Sequence, residues 1–210
     1  SSPWAFPVVA VPKADGTVRI TCNYKKLNDV TIVPKRPIPL VEDLLNQLGG
    51  AKHFSVGDLT SGFFTCVLAD ESIPLTAMIT SFGLFEYLRC PQGVSGAPGG
   101  FSRMMSIVMA GIENVQVFID DCLMYTATVD EHLKTLEEVF DRMKDHGIKI
   151  SPKKMVIGAS ETKFLGHVIT REGVKVDPDK VKALEDMKVP ENLSQLRSFL
   201  GLASYYRRFV

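Results

Sequence analysis

The sequence predicts an α+β fold in which an antiparallel sheet packs against helices. Two patterns support this class: apolar residues alternate on both sides of an Asp-Gly turn over residues 7–22, and they recur at helical spacing over residues 128–146. A third observation is composition, since 45% apolar and 23% charged residues in a chain of 210 are typical of a globular protein with a buried core. This composition excludes disordered, collagen-like and transmembrane classes.

The first part of the chain is predicted to form a hairpin and a helix. Residues 7–22 flank Asp15-Gly16, a dipeptide that favours the tight turn between two strands. A proline-rich connector follows over residues 33–40. Leucines at helical spacing then predict a helix, which the pair Gly49-Gly50 can end. These leucines are Leu40, Leu44, Leu45 and Leu48.

The middle of the chain is predicted to contain strands and one helix. Residues 52–68 are rich in β-forming types, and Ser61-Gly62 predicts a sharp change of direction. Residues 76–93 are predicted to form a second hairpin around Phe82-Gly83. A helix is predicted to start after Pro98.

The last part of the chain is predicted to contain three helices and a strand. The clearest helix runs from Thr128 to His146, because Thr128 and Glu131 form a capping box and Gly147 suits the C′ position. Its apolar stripe is predicted to comprise Leu133, Leu136, Phe140 and Met143. The other predicted elements are a strand over residues 163–170, a short helix starting at Asp177-Pro178 and a final helix over residues 193–210.

Cysteines and net charge indicate no particular chemistry. The cysteines are far apart and contain no CxxC pair, so they are predicted to be reduced and buried, as in an intracellular protein. They are Cys22, Cys66, Cys90 and Cys122. The net charge is zero; basic clusters within residues 13–36 and 149–154 could contact phosphates, although a solvated face is the more common reason for such clusters. The first residues contain no initiator Met and no signal-peptide pattern, which indicates a processed or excised piece.

Two adjacent acids interrupt an apolar stretch over residues 115–126, VQVFIDDCLMYT. Unpaired carboxylates are costly in such surroundings, so Asp120 and Asp121 are expected to face a cation. Asp58 ends a second predicted strand, and three acids from two strand ends can converge on divalent ions that promote phosphoryl or nucleotidyl transfer. The alternative is an ordinary polar turn, because Asp favours turns.

Six stretches of the sequence resemble the reverse transcriptase domain of Ty3/gypsy-type LTR retrotransposons, which are related to retroviral polymerases. In chain order they are SPWAFPVVAVPKADGTVRI, LNQLGGAKHFSVGDLTSGFF, PQGVSGAPGGF, VFIDD, KFLGHVI and LRSFLGLASYYRRF. The family signature, an aromatic residue, any residue and two aspartates, stands here as Phe118-Ile119-Asp120-Asp121, with Phe in place of the usual Tyr. The resemblance covers essentially the whole chain.

This resemblance implies a fold and a reaction. The fold would be the fingers and palm of a right-hand polymerase, with an antiparallel palm sheet packed on helices. Residues 1–52 would belong to the fingers, 53–168 to the palm with some finger elements, and 169–210 to the end of the palm and the start of the thumb or connection. The enzyme would be an RNA-directed DNA polymerase, a nucleotidyltransferase that adds dNTPs to a primer 3′-OH.

The resemblance also implies a metal centre. Asp58, Asp120 and Asp121 would be the catalytic acids. Asp58 and Asp120 would bridge two Mg²⁺ ions, which Mn²⁺ could replace. The Leu59 carbonyl would assist, and Asp121 would add charge nearby.

Further matched residues would bind the nucleotide and the primer. Phe63 would lie under the sugar of the dNTP and exclude ribonucleotides, and Gln92 would lie along the nucleotide; without the family match, a core Phe and a turn Gln are equally reasonable. Lys13 and Arg19 would clamp the triphosphate, although surface basic residues are usually only solvated. The primer 3′ end would be held by Phe164, Leu165, Gly166 and His167.

Two departures from the family pattern keep a second hypothesis open. Asn23-Tyr24-Lys25 replaces the usual Asp-Tyr-Arg, and Leu75-Thr76-Ala77 replaces the usual Lys-Thr-Ala. The alternative is a catalytically weak or domesticated module that binds nucleic acid or a protein partner. Under either hypothesis the expected partner is an RNA or DNA template-primer, without a membrane, and ribonuclease H and integrase domains are expected outside this chain. The expected location is the cytoplasm, in the virus-like particle of the element.

Overall fold

The computed structural model describes residues 2–13, 16–34, 41–60, 62–187 and 189–207. Within these ranges the chain forms three sheets, with helices packed on them, so the predicted α+β class is confirmed. The predicted connector over residues 33–40 lies mostly outside the described residues, as do Asp15, Ser61 and Leu40.

The first sheet contains the predicted N-terminal hairpin. Strand β1 (Phe6–Pro12) pairs antiparallel with β2 (Val18–Cys22), which confirms that hairpin. The sheet is larger than predicted, because β1 also pairs in parallel with β4 (Met78–Thr80), and β4 pairs antiparallel with β5 (Gly83–Phe85). The second predicted hairpin is thus confirmed, with its turn at Ser81–Phe82. The short helix α1 (Lys25–Val30) follows β2.

The second sheet is the centre of the molecule and is antiparallel throughout. Its spatial order is β6 (Val115–Phe118), β7 (Asp121–Thr126), β3 (His53–Asp58) and β8 (Val156–Ala159). Strand β3 is shorter than the β-rich stretch 52–68 predicts, since Gly62–Thr65 form a 3₁₀ turn. The helices α2 (Val41–Asn46), α3 (Ala97–Val108) and α4 (Val129–Asp145) accompany this sheet.

Strands β3 and β7 of the central sheet are buried on both faces, to which their side chains point alternately. On one face, Cys122 and Met124 pack with residues of α3 and α4, including Phe101 and Val139. On the other face, Leu123 packs with Phe54, with leucines of the α2 region and with the third sheet. The two faces together hold strands β3 and β7 rigidly in the interior.

The third sheet corrects a predicted element. Residues 163–170 are not one strand: β9 (Glu161–Phe164) and β10 (His167–Thr170) form a hairpin, and β10 continues to β11 (Gly173–Val176). The turn consists of Leu165 and Gly166, both with positive φ, at 49° and 72°. A two-residue turn of this kind normally contains Asn or Asp before Gly, so Leu165 concealed it from the sequence pattern.

Helix α4 confirms the predicted ends and corrects the predicted stripe. Thr128 and Glu131 form the capping box, and Gly147 has a φ of 66° just after the helix. Leu133 and Phe140, however, are 60% and 38% exposed. The buried face is instead formed by His132, Thr135, Leu136, Val139 and Met143. Sequence reasoning missed it because His132 is polar, yet its ring nitrogens lie 2.6 Å from Ser55 Oγ and 3.0 Å from Thr126 Oγ1.

Helices α3, α5 and α6 differ from the predictions only at their ends, whereas α1 was not predicted. Helix α3 begins at Ala97 and includes Pro98 in its first turn, where the missing N–H of proline costs nothing. Helix α5 (Pro178–Glu185) follows Asp177 as predicted. Helix α6 (Leu193–Tyr205) starts after Asn192 and ends before residue 210.

The cysteines are free, as predicted; Cys22 and Cys122 are buried, whereas Cys66 and Cys90 are half-buried. In the part of the chain that the structure describes, no helix is long and apolar enough to cross a membrane.

Replacing Thr128 by Ala is expected to lower the free energy of unfolding by about 1 kcal/mol, because the Glu131 N–H at the start of α4 loses its side-chain acceptor. Urea denaturation measures this loss. Thr128→Ser keeps the hydroxyl and should retain most of the stability. An equal loss in both variants would show that the hydroxyl does not stabilise the helix.

Candidate active site

The central sheet brings the three predicted aspartates together. In the antiparallel register, Asp58 at the end of β3 lies opposite Asp121 at the start of β7. The turn between β6 and β7 contains Asp120, whose carbonyl accepts a hydrogen bond of 2.7 Å from the Leu59 N–H. The backbone therefore forces three carboxylates to one end of the sheet.

The turn that carries Asp120 is strained. Ile119 has a φ of 53°, a left-handed conformation that is unfavourable for a β-branched residue. Strain of this kind persists only where the surroundings hold it, and it is concentrated at functional sites. Here the pairing of Phe118 with Asp121 holds the turn in place.

Asp120 is directed towards a space that a glycine leaves free. A Cβ atom at Gly62 would lie 3.1 Å from Asp120 Oδ1 and 2.7 Å from the ring of Phe101. Asp120 Oδ1 is buried and has no hydrogen-bond partner among the described residues. An orphaned buried carboxylate oxygen is unfavourable without a cation or a proton.

The electrostatics of the site favour a cation. Burial raises the pKa of the Asp120 carboxyl, and the charge of Asp58 raises it further, whereas Arg19 and Lys154 act in the opposite direction. Burial also raises the pKa of Asp121, followed by the charges of Asp58 and then Asp120. The acids thus repel one another as well as being desolvated.

One cation of the chain itself lies at the site. Lys154 Nζ is 3.0 Å from Asp58 Oδ2. The backbone positions this lysine, since the Ser151 N–H donates to the Asp58 carbonyl at 2.9 Å and Lys154 ends the following 3₁₀ turn. In the described ranges, no three His, Cys, Asp or Glu side chains already stand as a metal-binding group. The oxygen donors that hard divalent ions prefer are nevertheless gathered here.

Of the predicted nucleotide-binding residues, Phe63 and Arg19 lie near this end of the sheet. Phe63 follows Gly62 and packs edge-on against Phe101, with ring centroids 5.6 Å apart. Arg19 is exposed on β2 and is close enough to lower the pKa of Asp120. Lys13 lies at the tip of the first hairpin, where its N–H donates to the Thr17 carbonyl.

Gln92 lies in a loop held by the first sheet. Its carbonyl accepts a long hydrogen bond of 3.4 Å from Thr21 Oγ1. Asn28 spans the same loop, donating to the Gly93 carbonyl and accepting from the Ser95 N–H, both at 2.8 Å. Gly93 has a φ of 97°, which favours glycine.

The predicted primer-holding residues form the β9–β10 hairpin. Phe164 and His167 pair with each other on either side of the turn, and both are buried, at 2% and 3% exposure. The turn residues Leu165 and Gly166 are half-buried. Phe164 packs in the same cluster as Phe54 and Leu123, so this hairpin is joined through the core to the strands that carry Asp58 and Asp121.

Sequence reasoning missed three residues of the site. Lys154 was visible only as part of a basic cluster, and Gly62 only as a turn signal. No sequence signal identified Asn28, because its loop partners are 65 and 67 residues away along the chain.

The chain is similar to polyproteins of transposons. It matches the profile of the family described as reverse transcriptase (RNA-dependent DNA polymerase) over residues 11–169. The retrovirus-related Pol polyprotein from transposon 297 of Drosophila melanogaster is 36% identical over all of the chain, and that from transposon gypsy of the same species is 31% identical. The chain spans 20% and 21% of these two relatives.

The chain is also similar to solved structures of a viral reverse transcriptase. The foamy viral protease–reverse transcriptase in complex with double-stranded DNA has a TM-score of 0.90 and 29% identity, covering 99% of this chain and 37% of that one. The same viral protein in complex with an RNA/DNA hybrid has a TM-score of 0.84, 29% identity and coverage of 99% and 28%.

Asp120→Asn is expected to raise the free energy of unfolding of the metal-free protein by about 0.5 kcal/mol at pH 7, since solvent screens charges at a half-buried site. The raised pKa means that the folded state binds protons more tightly than the unfolded state, so ionised Asp120 destabilises folding as pH rises above the unfolded value. The gain should disappear below about pH 4, where the unfolded state is also protonated.

Urea denaturation in the presence of a chelator, at pH 7 and below about pH 4, measures the free energy of unfolding of both proteins. Asp141→Asn, on the exposed face of α4, is the matched control and should show no such gain. Equal behaviour of the two variants at pH 7 would contradict the repulsion argument.

Proposed function

Because the chain belongs to the reverse transcriptase family and its relatives include the Pol polyprotein of transposon gypsy, we propose that it is the fingers and palm of an RNA-directed DNA polymerase. In this reaction a primer 3′-OH attacks the α-phosphate of a dNTP and pyrophosphate leaves. The observation that carries the proposal is the forced convergence of Asp58, Asp120 and Asp121 at the end of the central sheet. The similarity to a polymerase bound to nucleic acid supports the same reading of the fold.

The residues gathered at the site fit divalent ions. Asp58 and Asp120 would hold two Mg²⁺ ions, or Mn²⁺ in their place, with the Leu59 carbonyl and Asp121 nearby. Bound there, such ions supply the activation of the attacking hydroxyl and the neutralisation of phosphate charge. The buried Asp120 Oδ1 without a partner and the raised pKa values of Asp120 and Asp121 support this assignment. Lys154 would have to exchange its contact with Asp58 for another partner.

The surrounding residues orient the substrates. Arg19 would hold the triphosphate through its planar guanidinium, with Lys13 at the hairpin tip as a second cation. Phe63, packed against Phe101, would lie under the sugar of the dNTP. Gln92 would line the nucleotide on a loop that Asn28 keeps in place. Positioning and charge are most of what phosphoryl-transfer chemistry requires.

The proposed organisation divides the chain into three parts, of which the last begins within strand β10. Residues 1–52 belong to the fingers, 53–168 to the palm with some finger elements, and 169–210 to the end of the palm and the start of the thumb or connection. The partners would be an RNA or DNA template-primer and dNTPs. Ribonuclease H and integrase would lie elsewhere in the polyprotein, and the location would be the cytoplasmic virus-like particle of the element.

Asp120→Asn is expected to reduce dNTP incorporation on a primed RNA template by about 100-fold or more, because it removes a charge at the reacting centre. The assay uses Mg²⁺ at low salt, where binding to phosphates is strongest. Asp141→Asn is the control and should extend the primer at the wild-type rate. If the wild-type protein binds the primer without extending it, the proposed activity is wrong and a binding module is the better interpretation.

Phe63→Ala is expected to raise the ratio of ribonucleotide to deoxynucleotide incorporation by about tenfold, because the ring no longer blocks the 2′-OH. Phe64→Ala is the matched control, since Phe64 is 37% exposed and stacks on Tyr87 instead of Phe101. An unchanged ratio in a Phe63→Ala protein that still uses dNTPs would rule out the steric role.

A further inference from the structure

We propose that Tyr205 and Tyr206 are positioning residues that lock the Leu165–Gly166 turn and thereby the primer 3′ end. The role of the turn at the primer rests on the proposed function, whereas the lock itself rests on the contacts that follow.

Both tyrosine hydroxyls donate to carbonyls of the turn. Tyr205 Oη lies 2.8 Å from the Leu165 carbonyl oxygen, and Tyr206 Oη lies 3.2 Å from the Gly166 carbonyl oxygen. The tyrosines are about 40 residues away along the chain from the turn. The carbonyl of each turn residue therefore accepts a hydrogen bond from a tyrosine at the end of helix α6.

The rings of the tyrosines pack around His167. The ring of His167 is 5.5 Å from each tyrosine ring, and the two tyrosine rings meet edge-on at 4.8 Å. His167 also contacts the turn directly, since its Nδ1 lies 2.8 Å from the Leu165 carbonyl oxygen. Aromatic pairs of this geometry add rigidity beyond the area that they bury.

The turn leaves no space for a side chain at Gly166 with Tyr206 in its present position. A Cβ atom at Gly166 would lie 2.8 Å from the hydroxyl oxygen of Tyr206, closer than real contacts allow. Gly166 has a φ of 72°, and Leu165 takes a left-handed conformation that is unfavourable for leucine. Such a conformation requires external contacts to hold it, and the two hydroxyls provide them.

The tyrosine pair attaches the end of α6 to the hairpin. No residue within α6 is buried, whereas Tyr206, directly after it, is only 4% exposed. The preceding segment contributes as well, because the Asp177 N–H donates to the Gly166 carbonyl at 3.3 Å and Lys163 of β9 pairs with Asp177 at 2.9 Å. The chain after β11 thus contacts the turn of the β9–β10 hairpin at several points.

The lock is connected to the aspartates through the core. Phe164, one residue before the turn, packs with Phe54 of β3 and Leu123 of β7. Those strands end at Asp58 and begin at Asp121. If the turn is fixed, the distance between a primer 3′ end that contacts it and the carboxylates is fixed as well. This distance matters because small misplacements of reacting groups lower reaction rates steeply.

The test is the double variant Tyr205→Phe/Tyr206→Phe, which removes both hydroxyls and keeps both rings. Single-turnover extension of a primed RNA template, measured over a range of dNTP concentrations, gives the maximal rate constant, which reports placement of the 3′ end, the KM for dNTP, and the amplitude, which reports the folded fraction. We expect the rate constant to fall by about tenfold, with the KM for dNTP and the amplitude unchanged. Amide hydrogen exchange at residues 165–167 should become faster in the same variant.

Ser198→Ala is the control on α6, because its hydroxyl donates within the helix, to the Ser194 carbonyl. Tyr24→Phe controls for the effect on stability of losing a tyrosine–carbonyl bond, since Tyr24 Oη, just before α1, donates at 2.9 Å to the Thr76 carbonyl in the 3₁₀ turn that precedes β4. A wild-type rate constant in the double variant would overturn the inference and leave the proposed function intact. A lowered amplitude with a wild-type rate constant would reduce the tyrosines to a structural role. If wild-type protein binds the primer but does not extend it, the proposed function and the primer role of the turn fail together.

Discussion

The mutual repulsion of three carboxylates at the end of the central sheet is the constraint on which the rest of the structure depends. Asp58, Asp120 and Asp121 raise one another's energy, and burial adds to the cost. Left to themselves, such side chains would separate into solvent. They stay together because strand pairing fixes Asp58 opposite Asp121 and because the Leu59 N–H ties the turn to β3.

The burial of strand β7 offsets the cost of that arrangement. Strand β7 has consecutive buried residues, with Cys122 and Met124 packed on one face and Leu123 on the other. Two apolar faces can supply the free energy that the acids and the left-handed Ile119 consume. The apolar interior of the sheet therefore stabilises an arrangement that the three acids at its end destabilise.

Other parts of the chain lie around this acidic end of the central sheet. Lys154 and Arg19 partly balance the charge, and Gly62 leaves room for Asp120 beside Phe101. Farther away, the β9–β10 hairpin is fixed from outside by the tyrosines after α6 and from inside by Phe164. Parts of the molecule that are distant in sequence thereby share one rigid core. The proposed function would require such rigidity, because it places a primer end against a nucleotide.

Patterns within a few residues determined much of this protein from sequence alone. The capping box of Thr128, the first hairpin, the α+β class and the pair Asp120-Asp121 follow from local periodicity and turn chemistry, and the family motifs identified Asp58. Only the tertiary structure decided that Leu133 and Phe140 face outwards, since His132 gains buried partners from two strands. Only the tertiary structure divided residues 163–170 into a hairpin, because Leu165 is held left-handed by tyrosines 40 residues later. Local propensity determines the elements, but long-range hydrogen bonds and packing choose among conformations that the local sequence leaves nearly equal in free energy.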